Sequence, residues 1–236
     1  MKISYLVTWS SETKSLNNLL DVLYSVLDTD ELVSVRDSNI INPDGKGYIT
    51  VITERENISK NISGSIGRVK VTEHALNNDY GTHKNWGIEQ CSGDFIFQID
   101  GDEIPSETLF GKNLHDIIEA NPTIEAYAVP RINDFRGVTP EHAARWGWRL
   151  STSKTYNRPM VNFPDWQFRI FLKSYPRISY KRRLHEKIEG YKTYVMLPAE
   201  EEYALYHDKT IEQQEQTNIR YNEKFTQDEN KGHNPV

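Results

Sequence analysis

One stretch, Asp94 to Glu103 (DFIFQIDGDE), constrains the fold of this chain more than any other. Its apolar run of aromatic and β-branched residues predicts a buried strand, which three carboxylates around a single glycine follow directly. Open α/β sheets place ligand sites at the carboxyl ends of such strands. Asp100-Gly101-Asp102 can present two carboxylates in one direction, because glycine lets the backbone turn. Such a pair suits Mg²⁺ or Mn²⁺, which can hold a diphosphate, although Asp and Gly also form ordinary polar turns.

The segment before this strand makes the motif more specific. Residues 80–93 (YGTHKNWGIEQCSG) predict a short helix that Gly93 ends. Lys84-Asn85 on this helix, the pair Gly93-Asp94, the apolar strand and the Asp-x-Asp resemble the inverting family 2 glycosyltransferases with the GT-A fold. In that family an Asn on a helix, a Gly-Asp pair, a strand and an Asp-x-Asp follow one another at this spacing. The match has several parts, so it is more specific than an Asp-x-Asp alone.

The start of the chain predicts a βαβ unit. Residues 3–8 are a candidate buried strand. A stripe of apolar residues then recurs at helical spacing and predicts a helix with this leucine stripe in the core: Leu16, Leu19, Leu20, Leu23, Val26 and Leu27. Residues 31–37 predict the second strand, so the first pair is parallel with a right-handed crossover. No Gly-x-Gly-x-x-Gly follows the first strand, which counts against a dinucleotide-binding domain. Further strands are expected at residues 48–52 and 68–71, with a loop at 57–67 between them.

The resemblance also implies a nucleotide-sugar site. In the family, the turn after the first strand and the acid that ends the second strand grip the base and ribose. The donor-binding residues that this implies are Thr8, Trp9, Ser10, Glu12, Asp37, Lys84, Asn85, Asp100, Gly101 and Arg169. Both turns depart from the usual family pattern. The donor is therefore left open as a UDP-sugar or another NDP-sugar.

A second motif comes later in the chain. Asp165 precedes the strand 167–171, which carries Arg169, and His185-Glu186 follows the next strand at 177–180. In the family an acid, an Arg-x-Phe strand and a His-Glu occur in this order, which implies that Asp165 is the catalytic base. The alternative is that Asp165 only forms an ion pair near Arg169. Inverting transfer needs one base for the acceptor hydroxyl and a cation for the leaving diphosphate.

The metal site that the resemblance implies rests on Asp102, with help from Asp100 and His185. His185 is a third ligand for Mn²⁺ or Mg²⁺, or else a phosphate contact. His207, in the sequence YHD at 206–208, is the weaker alternative for the C-terminal histidine of the family.

The middle of the chain is basic and aromatic. Residues 131–192 contain 14 Lys or Arg against 5 Asp or Glu, a balance of +9 in a chain of net charge −6. This segment either attracts an anionic partner or forms a solvated surface of dispersed charges. Residues 133–162 show little periodicity and predict an acceptor-side loop. Its Trp146, Trp148 and Tyr156 either stack on sugars or bases, or fill space.

Composition narrows the class of protein. The single Cys91 excludes an internal disulfide framework and a cysteine metal site. No run of about 18 apolar residues occurs, so we expect no integral membrane segment. The expected protein is cytoplasmic, either free or peripheral to a membrane through the polar helix at 210–227. We expect an α/β fold, a GT-A-type Rossmann-like sandwich whose mostly parallel central sheet has helices on both faces. The single domain 1–236 divides into a nucleotide-sugar-binding half (1–103), an acceptor half (104–209) and a C-terminal helix and tail (210–236).

The function expected from the sequence is metal-dependent, inverting transfer of a sugar from a nucleotide-diphosphate donor to an acceptor hydroxyl. The acceptor is a glycan, a lipid-linked sugar or a modified DNA base. One alternative is a sugar nucleotidyltransferase, which would need a Gly-rich basic loop after the first strand. Another is a non-catalytic module that binds glycans or nucleic acid through the basic, aromatic middle.

Overall fold

The computed structural model describes residues 1–10, 30–39 and 69–230, together with Leu16, Asn18, Leu19, Val22 and Leu23. The strand expected at 48–52, the loop expected at 57–67, Glu12 and the end of the tail lie outside the described residues. The strands of the described residues are β1 (Ile3–Trp9), β2 (Glu31–Asp37), β3 (Val69–His74), β4 (Phe95–Asp100), β5 (Glu103–Pro105), β6 (Ala126–Val129), β7 (Arg131–Arg136), β8 (Leu150–Thr152), β9 (Pro159–Val161), β10 (Gln167–Leu172), β11 (Ser179–Lys181), β12 (Lys187–Glu189), β13 (Tyr194–Met196) and β14 (Leu205–Thr210). The helices are α1 (Tyr80–Gln90), α2 (Gly111–Glu119), α3 (Pro140–Trp146), α4 (Ile211–Lys224) and α5 (Gln227–Asn230), with 3₁₀ turns at Glu107–Leu109 and Glu201–Tyr203.

A seven-stranded sheet forms the centre of the molecule, in the order β13-β6-β10-β4-β1-β2-β3. β1 pairs in parallel with β2 and with β4, and β2 pairs in parallel with β3. Only β10 runs antiparallel to its neighbours β4 and β6 within this sheet of the described chain. The register sets Thr8 opposite both Val35 and Asp100, so the carboxyl ends of three strands meet at one edge. The expected α/β fold with a mostly parallel sheet is confirmed.

Apolar layers cover both faces of this sheet, as the alternation along β1 shows. Tyr5 and Val7 belong to one buried cluster, and Leu6 between them belongs to the other. The first cluster contains Leu16, Leu19 and Leu23, which confirms the leucine stripe as core, and also the apolar side chains of α2. The second cluster receives α1 at close range: a Cβ on Gly87 would lie 2.8 Å from a methyl carbon of Leu6. None of the helices in the described part of the chain is long and apolar enough to cross a membrane.

A second sheet of five strands, in the order β5-β14-β7-β9-β8, stands beside the end of β4. Residues 133–162, expected to be a loop, contain the end of β7, then α3, β8 and β9. Strands of three residues are too short to show an alternation of period two. The start of α3 was visible in the sequence as a cap: Thr139 and His142 form a capping box around Pro140, and Gly147 ends the helix in the left-handed conformation.

Two element boundaries differ from those that the sequence predicts, which are the end of α1 at Gly93 and the start of α2 at Pro105. α1 ends at Gln90 rather than at Gly93, because Cys91 is already extended. Gly93 is required for another reason, since a Cβ there would lie 2.7 Å from the backbone nitrogen of Ser4. The helix expected from residue 105 begins only at Gly111, after a 3₁₀ turn. The polar C-terminal helix begins as expected, with Thr210 and Gln213 forming its capping box.

Candidate active site

A cavity of about 1690 Å³ opens at the edge where β1, β2 and β4 end. Most of the residues that the sequence singled out line it together, although they lie up to 177 positions apart in the chain. They are Thr8, Trp9, Ser10, Asp37, Lys84, Asp100, Gly101, Asp102, Asp165, Arg169 and His185. His207 lines the same cavity.

Asn85 was expected to bind the nucleotide-sugar donor, but its side chain contacts the protein backbone instead. Its side-chain amide donates to the carbonyl of Tyr180 at 2.9 Å and accepts from the backbone nitrogen of the same residue at 2.7 Å. Both polar atoms of the amide are therefore used to attach β11 to α1. The structure gives Asn85 a packing role behind the cavity, which the sequence pattern could not distinguish from a ligand contact.

A row of alternating charges runs along the floor of the cavity. Its members in order are Glu186, Lys84, Asp100, Arg169, Glu103, Arg131 and Asp165. Neighbours in this ion row are 2.6 to 3.1 Å apart. Four carboxylates and three cations give the row a net charge of −1. Such a row stays charged where single buried ions would not, because each charge has a partner of opposite sign.

The ion row fixes the ionisation of its central members. Burial by itself raises the pKa of Asp100, but Arg169 and Lys84 outweigh it and hold that pKa well below its usual range. Burial by itself lowers the pKa of Lys84, which is only 3% exposed, but Asp100 and Glu186 raise it above the usual value. Lys84 and Asp100 therefore remain a charged pair at neutral pH.

Asp100 is consequently poorly placed for its expected role as a metal ligand. Its Oδ1 contacts Lys84, Gln98 and Thr8, at 2.9, 2.8 and 3.1 Å. Its Oδ2 accepts from Arg169 at 2.7 Å. Oδ1 is fully occupied by donors of the chain, and Oδ2 is paired with the Arg169 cation, which disfavours a metal ion there. Asp100 thus orders the strand end before Asp102.

Gly101 is required between the two aspartates by close packing. A Cβ at this position would lie 2.7 Å from the Cβ of Trp9, and the backbone nitrogen of Gly101 donates to the carbonyl of Thr8 at 2.9 Å. Its backbone is not in the left-handed region. The sequence argument gave the wrong reason for this glycine. It is needed because β1 approaches so closely that a side chain at position 101 would not fit, and not because the chain has to turn there.

His207, and not His185, is the histidine beside Asp102. The Nε2 atom of His207 lies 3.2 Å from Oδ2 of Asp102. The second sheet creates this contact, because His207 on β14 pairs with Glu103 on β5, directly after Asp102. His185 lies instead against the ring of Tyr221, with centroids 6.2 Å apart, and its buried Nε2 has no hydrogen-bond partner within the described chain.

Hydrogen bonds to Asn133 determine which nitrogen of His207 carries a proton. The Asn133 amide nitrogen donates to Asp165 at 2.9 Å, so its oxygen faces the Nδ1 atom of His207, also at 2.9 Å. An amide oxygen can only accept, so Nδ1 must be the protonated nitrogen of His207. In the neutral imidazole, Nε2 then presents a lone pair to Oδ2 of Asp102. Two acceptors at 3.2 Å repel one another unless a cation or a proton lies between them.

These residues fit a divalent cation. A ligating histidine normally donates its other ring N–H to a protein acceptor, as His207 does to Asn133. Burial by itself raises the pKa of Asp102, but the charge and hydrogen bond of a protonated His207 outweigh it and the pKa is lowered. The carboxylate is therefore ionised before a cation replaces that proton. No group of three or more His, Cys, Asp or Glu in the described ranges could hold a metal. Mg²⁺ and Mn²⁺ need few protein ligands when substrate phosphates and water supply the rest.

The two carboxylate oxygens of Asp165 differ in how many hydrogen bonds they accept. Its Oδ2 accepts from Arg131 at 2.6 and 2.9 Å and from Asn133 at 2.9 Å. Its Oδ1 accepts only from Gln167, at 3.0 Å, among the described contacts. Burial by itself raises the pKa of Asp165, but Arg131 and Asn133 outweigh it, and the pKa is lowered. The ion-pair partner is Arg131, and not Arg169 as the sequence alternative supposed.

The basic middle of the chain is largely neutralised by the fold. Seven of its 14 basic residues form ion pairs in the described structure: Arg131, Arg136, Arg145, Arg158, Arg169, Arg177 and Arg183. Most of their partners are acids from outside residues 131–192, such as Asp208 and Glu229. Half of the positive charge is thus not available to an anionic partner.

Sequence reasoning missed Arg131, Asn133 and Glu103. Arg131 and Asn133 lie two positions apart on β7 and so share a face of the second sheet. That spacing was the signal that could have found them. Their relevance depended on Asp165 and His207, which lie 32 and 74 positions from Asn133.

Solved structures show the same fold. One is TarS 1–349 from S. aureus in complex with UDP-GlcNAc, with a TM-score of 0.57, 15% identity and coverage of 89% of this chain and 59% of that one. Another is the mannosyltransferase PcManGT from Pyrobaculum calidifontis in complex with GDP-Man and Mn²⁺, with a TM-score of 0.51, 12% identity and coverage of 86% and 56%. This chain thus spans less than two thirds of either. No curated protein sequence matches it.

The sequence pattern of glycosyl transferase family 2 matches residues 53–186, which is more than half of the 236 residues. The match includes the strand that ends in Asp100, the Asp-x-Asp and the segment from Asp165 to His185. This chain belongs to glycosyl transferase family 2.

Proposed function

We propose that this protein transfers a sugar from a nucleotide-diphosphate donor to an acceptor hydroxyl with inversion at the anomeric carbon. The observation that carries the proposal is the pair His207 and Asp102, whose Nε2 and Oδ2 atoms face each other 3.2 Å apart in the cavity. These two side chains would hold Mn²⁺ or Mg²⁺. When bound there, the cation would neutralise charge that develops on the leaving diphosphate.

The donor nucleotide would lie at the carboxyl ends of β1 and β2. Thr8, Trp9, Ser10 and Asp37 line that part of the cavity. Oδ1 of Asp37 accepts from the backbone nitrogens of Asn39 and Leu76, each at 2.9 Å, so Oδ2 is the oxygen left to accept from base or ribose. The nucleotide sugars bound to TarS and to PcManGT support a donor of this class. Glu12 belongs to the same proposed turn but lies outside the described residues.

Asp165 would act as the catalytic base through Oδ1. This oxygen has an acceptor position left, whereas Oδ2 already accepts three hydrogen bonds. A low pKa keeps the carboxylate ionised, and Arg131 and Asn133 hold its orientation. A single positioned base that deprotonates the acceptor hydroxyl suits direct displacement on the face opposite the leaving group, which inverts the configuration.

A screen of nucleotide sugars tests the proposal. Melting temperatures are measured with UDP-, GDP-, dTDP- and ADP-sugars in the presence of Mn²⁺ or of a chelator. We expect one donor class to raise the melting temperature with Mn²⁺ and to release its nucleoside diphosphate slowly. Absence of both stabilisation and release for every donor would refute sugar transfer. Stabilisation that survives the chelator unchanged would refute the metal site.

A further inference from the structure

A patch of aromatic and apolar side chains forms one wall of the cavity, away from the ends of β1 and β2. We call it the aromatic wall, and its members are Phe168, Tyr191, Tyr194, Met196 and Ala128. Phe168 stacks on Tyr191 with centroids 5.0 Å apart and meets the edge of Tyr194 at 5.5 Å. Tyr191 and Tyr194 are 5.8 Å apart. The three rings thus contact one another and form a preorganised surface.

The register of the central sheet explains the shape of this wall. Phe168 on β10 lies opposite Ala128 on β6, and Ala128 lies opposite Met196 on β13. Ala128 is a small residue between two large ones on neighbouring strands, and it is fully buried beneath them, so the larger side chains form the exposed surface. Tyr194 and Met196 remain 54% and 43% exposed, although they are large and apolar. An exposed patch of this kind inside a cavity marks a binding surface.

The charges around the wall are balanced. Lys187 and Glu189, of opposite sign, alternate along β12 and line the cavity beside it. Behind the wall, Arg177 is paired with Glu125 at 2.9 Å. A nucleic acid would need several free cations along its phosphates, and this end of the cavity does not offer them in the described chain. Flat rings with free hydroxyls suit a neutral ligand that has both an apolar face and polar edges, and a pyranose ring is such a ligand.

We propose that the aromatic wall binds an internal ring of an oligosaccharide acceptor and so presents a hydroxyl of the neighbouring ring to Asp165. This inference rests on the proposed function, because it assumes that Asp165 is the base. Asp165 precedes Phe168 by three residues, a reach of about 10 Å along an extended chain. An oligosaccharide of two or more rings can span such a distance, with one ring on the aromatic wall and the next at Asp165.

The test compares Tyr194→Ala with Tyr194→Phe and with Tyr156→Ala. Tyr156 is a matched control because its side chain is 47% exposed but it does not line the cavity. Saturation-transfer NMR is recorded with cellobiose, chitobiose, lactose and maltose and with their component monosaccharides, in the presence of UDP and Mn²⁺. We expect wild type to bind at least one disaccharide more tightly than its monosaccharide. Tyr194→Ala should weaken this binding about 3- to 10-fold, and the other two variants should retain it.

Release of nucleoside diphosphate from the donor, without acceptor, is measured on the same preparations. It should be unchanged in Tyr156→Ala, whose side chain does not line the cavity, and in the other variants it shows whether the donor site is retained. A wild type that releases nucleoside diphosphate but binds no saccharide overturns the inference and leaves the proposed function standing. Equal saccharide binding by wild type and Tyr194→Ala also overturns it. Binding of a DNA oligonucleotide to wild type that is lost in Tyr194→Ala would likewise overturn the inference.

Discussion

Asn133 accepts a hydrogen bond of 2.9 Å from Nδ1 of His207 and so turns the Nε2 atom of the ring towards Asp102. Asn133 also donates to Asp165 at 2.9 Å. One amide therefore links the proposed metal ligand to the proposed base. The same side chain therefore orients both the residue proposed to bind the metal at the leaving diphosphate and the residue proposed to deprotonate the acceptor.

Replacement of each candidate histidine by alanine distinguishes their roles in metal binding. His207→Ala should weaken Mn²⁺ binding by about 10²-fold or more, because it removes a ligand, and loss of an outer partner alone costs 10–100-fold. His185→Ala is the matched control and should leave Mn²⁺ binding near normal, since His185 lies against Tyr221. The measurement is an electron paramagnetic resonance titration of free Mn²⁺ with UDP present. A larger loss in His185→Ala than in His207→Ala would contradict the assignment.

Two substitutions of Asn133 should have different effects. Asn133→Ala leaves Nδ1 of His207 without its acceptor, so Mn²⁺ affinity should fall about 10–100-fold. Asn133→Asp keeps an acceptor for Nδ1 and should preserve Mn²⁺ affinity. Its new carboxylate would raise the pKa of Asp165, and the acid limb of the pH–rate profile should move to higher pH. Equal Mn²⁺ affinity in Asn133→Ala and wild type would show that Asn133 does not orient the ligand.

Asp165→Asn tests the base. It keeps the shape but removes the proton acceptor, so turnover should fall roughly 10²–10⁴-fold while the affinities for donor and Mn²⁺ stay near normal. Loss of the ion pair with Arg131 should also reduce the free energy of unfolding, by about 3 kcal/mol at most, since Arg131 retains Glu103.

Arg131→Lys provides the stability control for this experiment. It weakens the same ion pair from the other side but leaves the carboxylate of Asp165 in place. Turnover should therefore fall much less than in Asp165→Asn at a comparable melting temperature. If both variants lose turnover only in proportion to stability, Asp165 has a structural role and is not the base.

His83 should make stability depend on pH. Burial, and then the neighbouring His74, lower its pKa from 6.5 to about 4, and Asp37 and Asp100 act in the opposite direction. The folded state thus binds fewer protons than the unfolded state between these values, so stability rises with pH across that window and is lost as pH falls. The effect is on the order of 3 kcal/mol. Unfolding by urea at pH 4 to 7.5 should show this slope in wild type and a clearly smaller one in His83→Gln; identical slopes would contradict the prediction.

The central sheet could be predicted from the sequence because its signals are local. The apolar runs that end in Asp37 and Asp100 are bounded by turn residues and match β2 and β4 closely. The leucines after β1 could likewise be recognised from their helical spacing. The second sheet could not be predicted, because β5, β8 and β9 have three residues each and are specified by partners elsewhere in the chain.

The same distinction applies to the site. Asp102 and Asp165 were found because each stands beside a recognisable strand. The choice of His207 over His185 depended on the register between β14 and β5, which no local pattern reports. Asp100 was expected to be a ligand because it precedes Asp102 in the motif. Only the positions of Lys84 and Arg169 reveal that each of its oxygens is paired with a cation of the chain.

The ion row also bears on how this enzyme can be engineered by recombination. It crosses residue 103, the expected boundary between a donor half and an acceptor half, since Lys84, Asp100 and Glu103 come before that point and Arg131, Asp165, Arg169 and Glu186 come after it. In a chimera that joins this donor half to the acceptor half of a relative, Glu103 loses both of its counterions, unless the relative has matching residues. Lys84 and Asp100 each lose one of two counterions but keep each other. The exchangeable unit for altering donor preference is therefore the turn after β1 and the end of β2, grafted between intact strands.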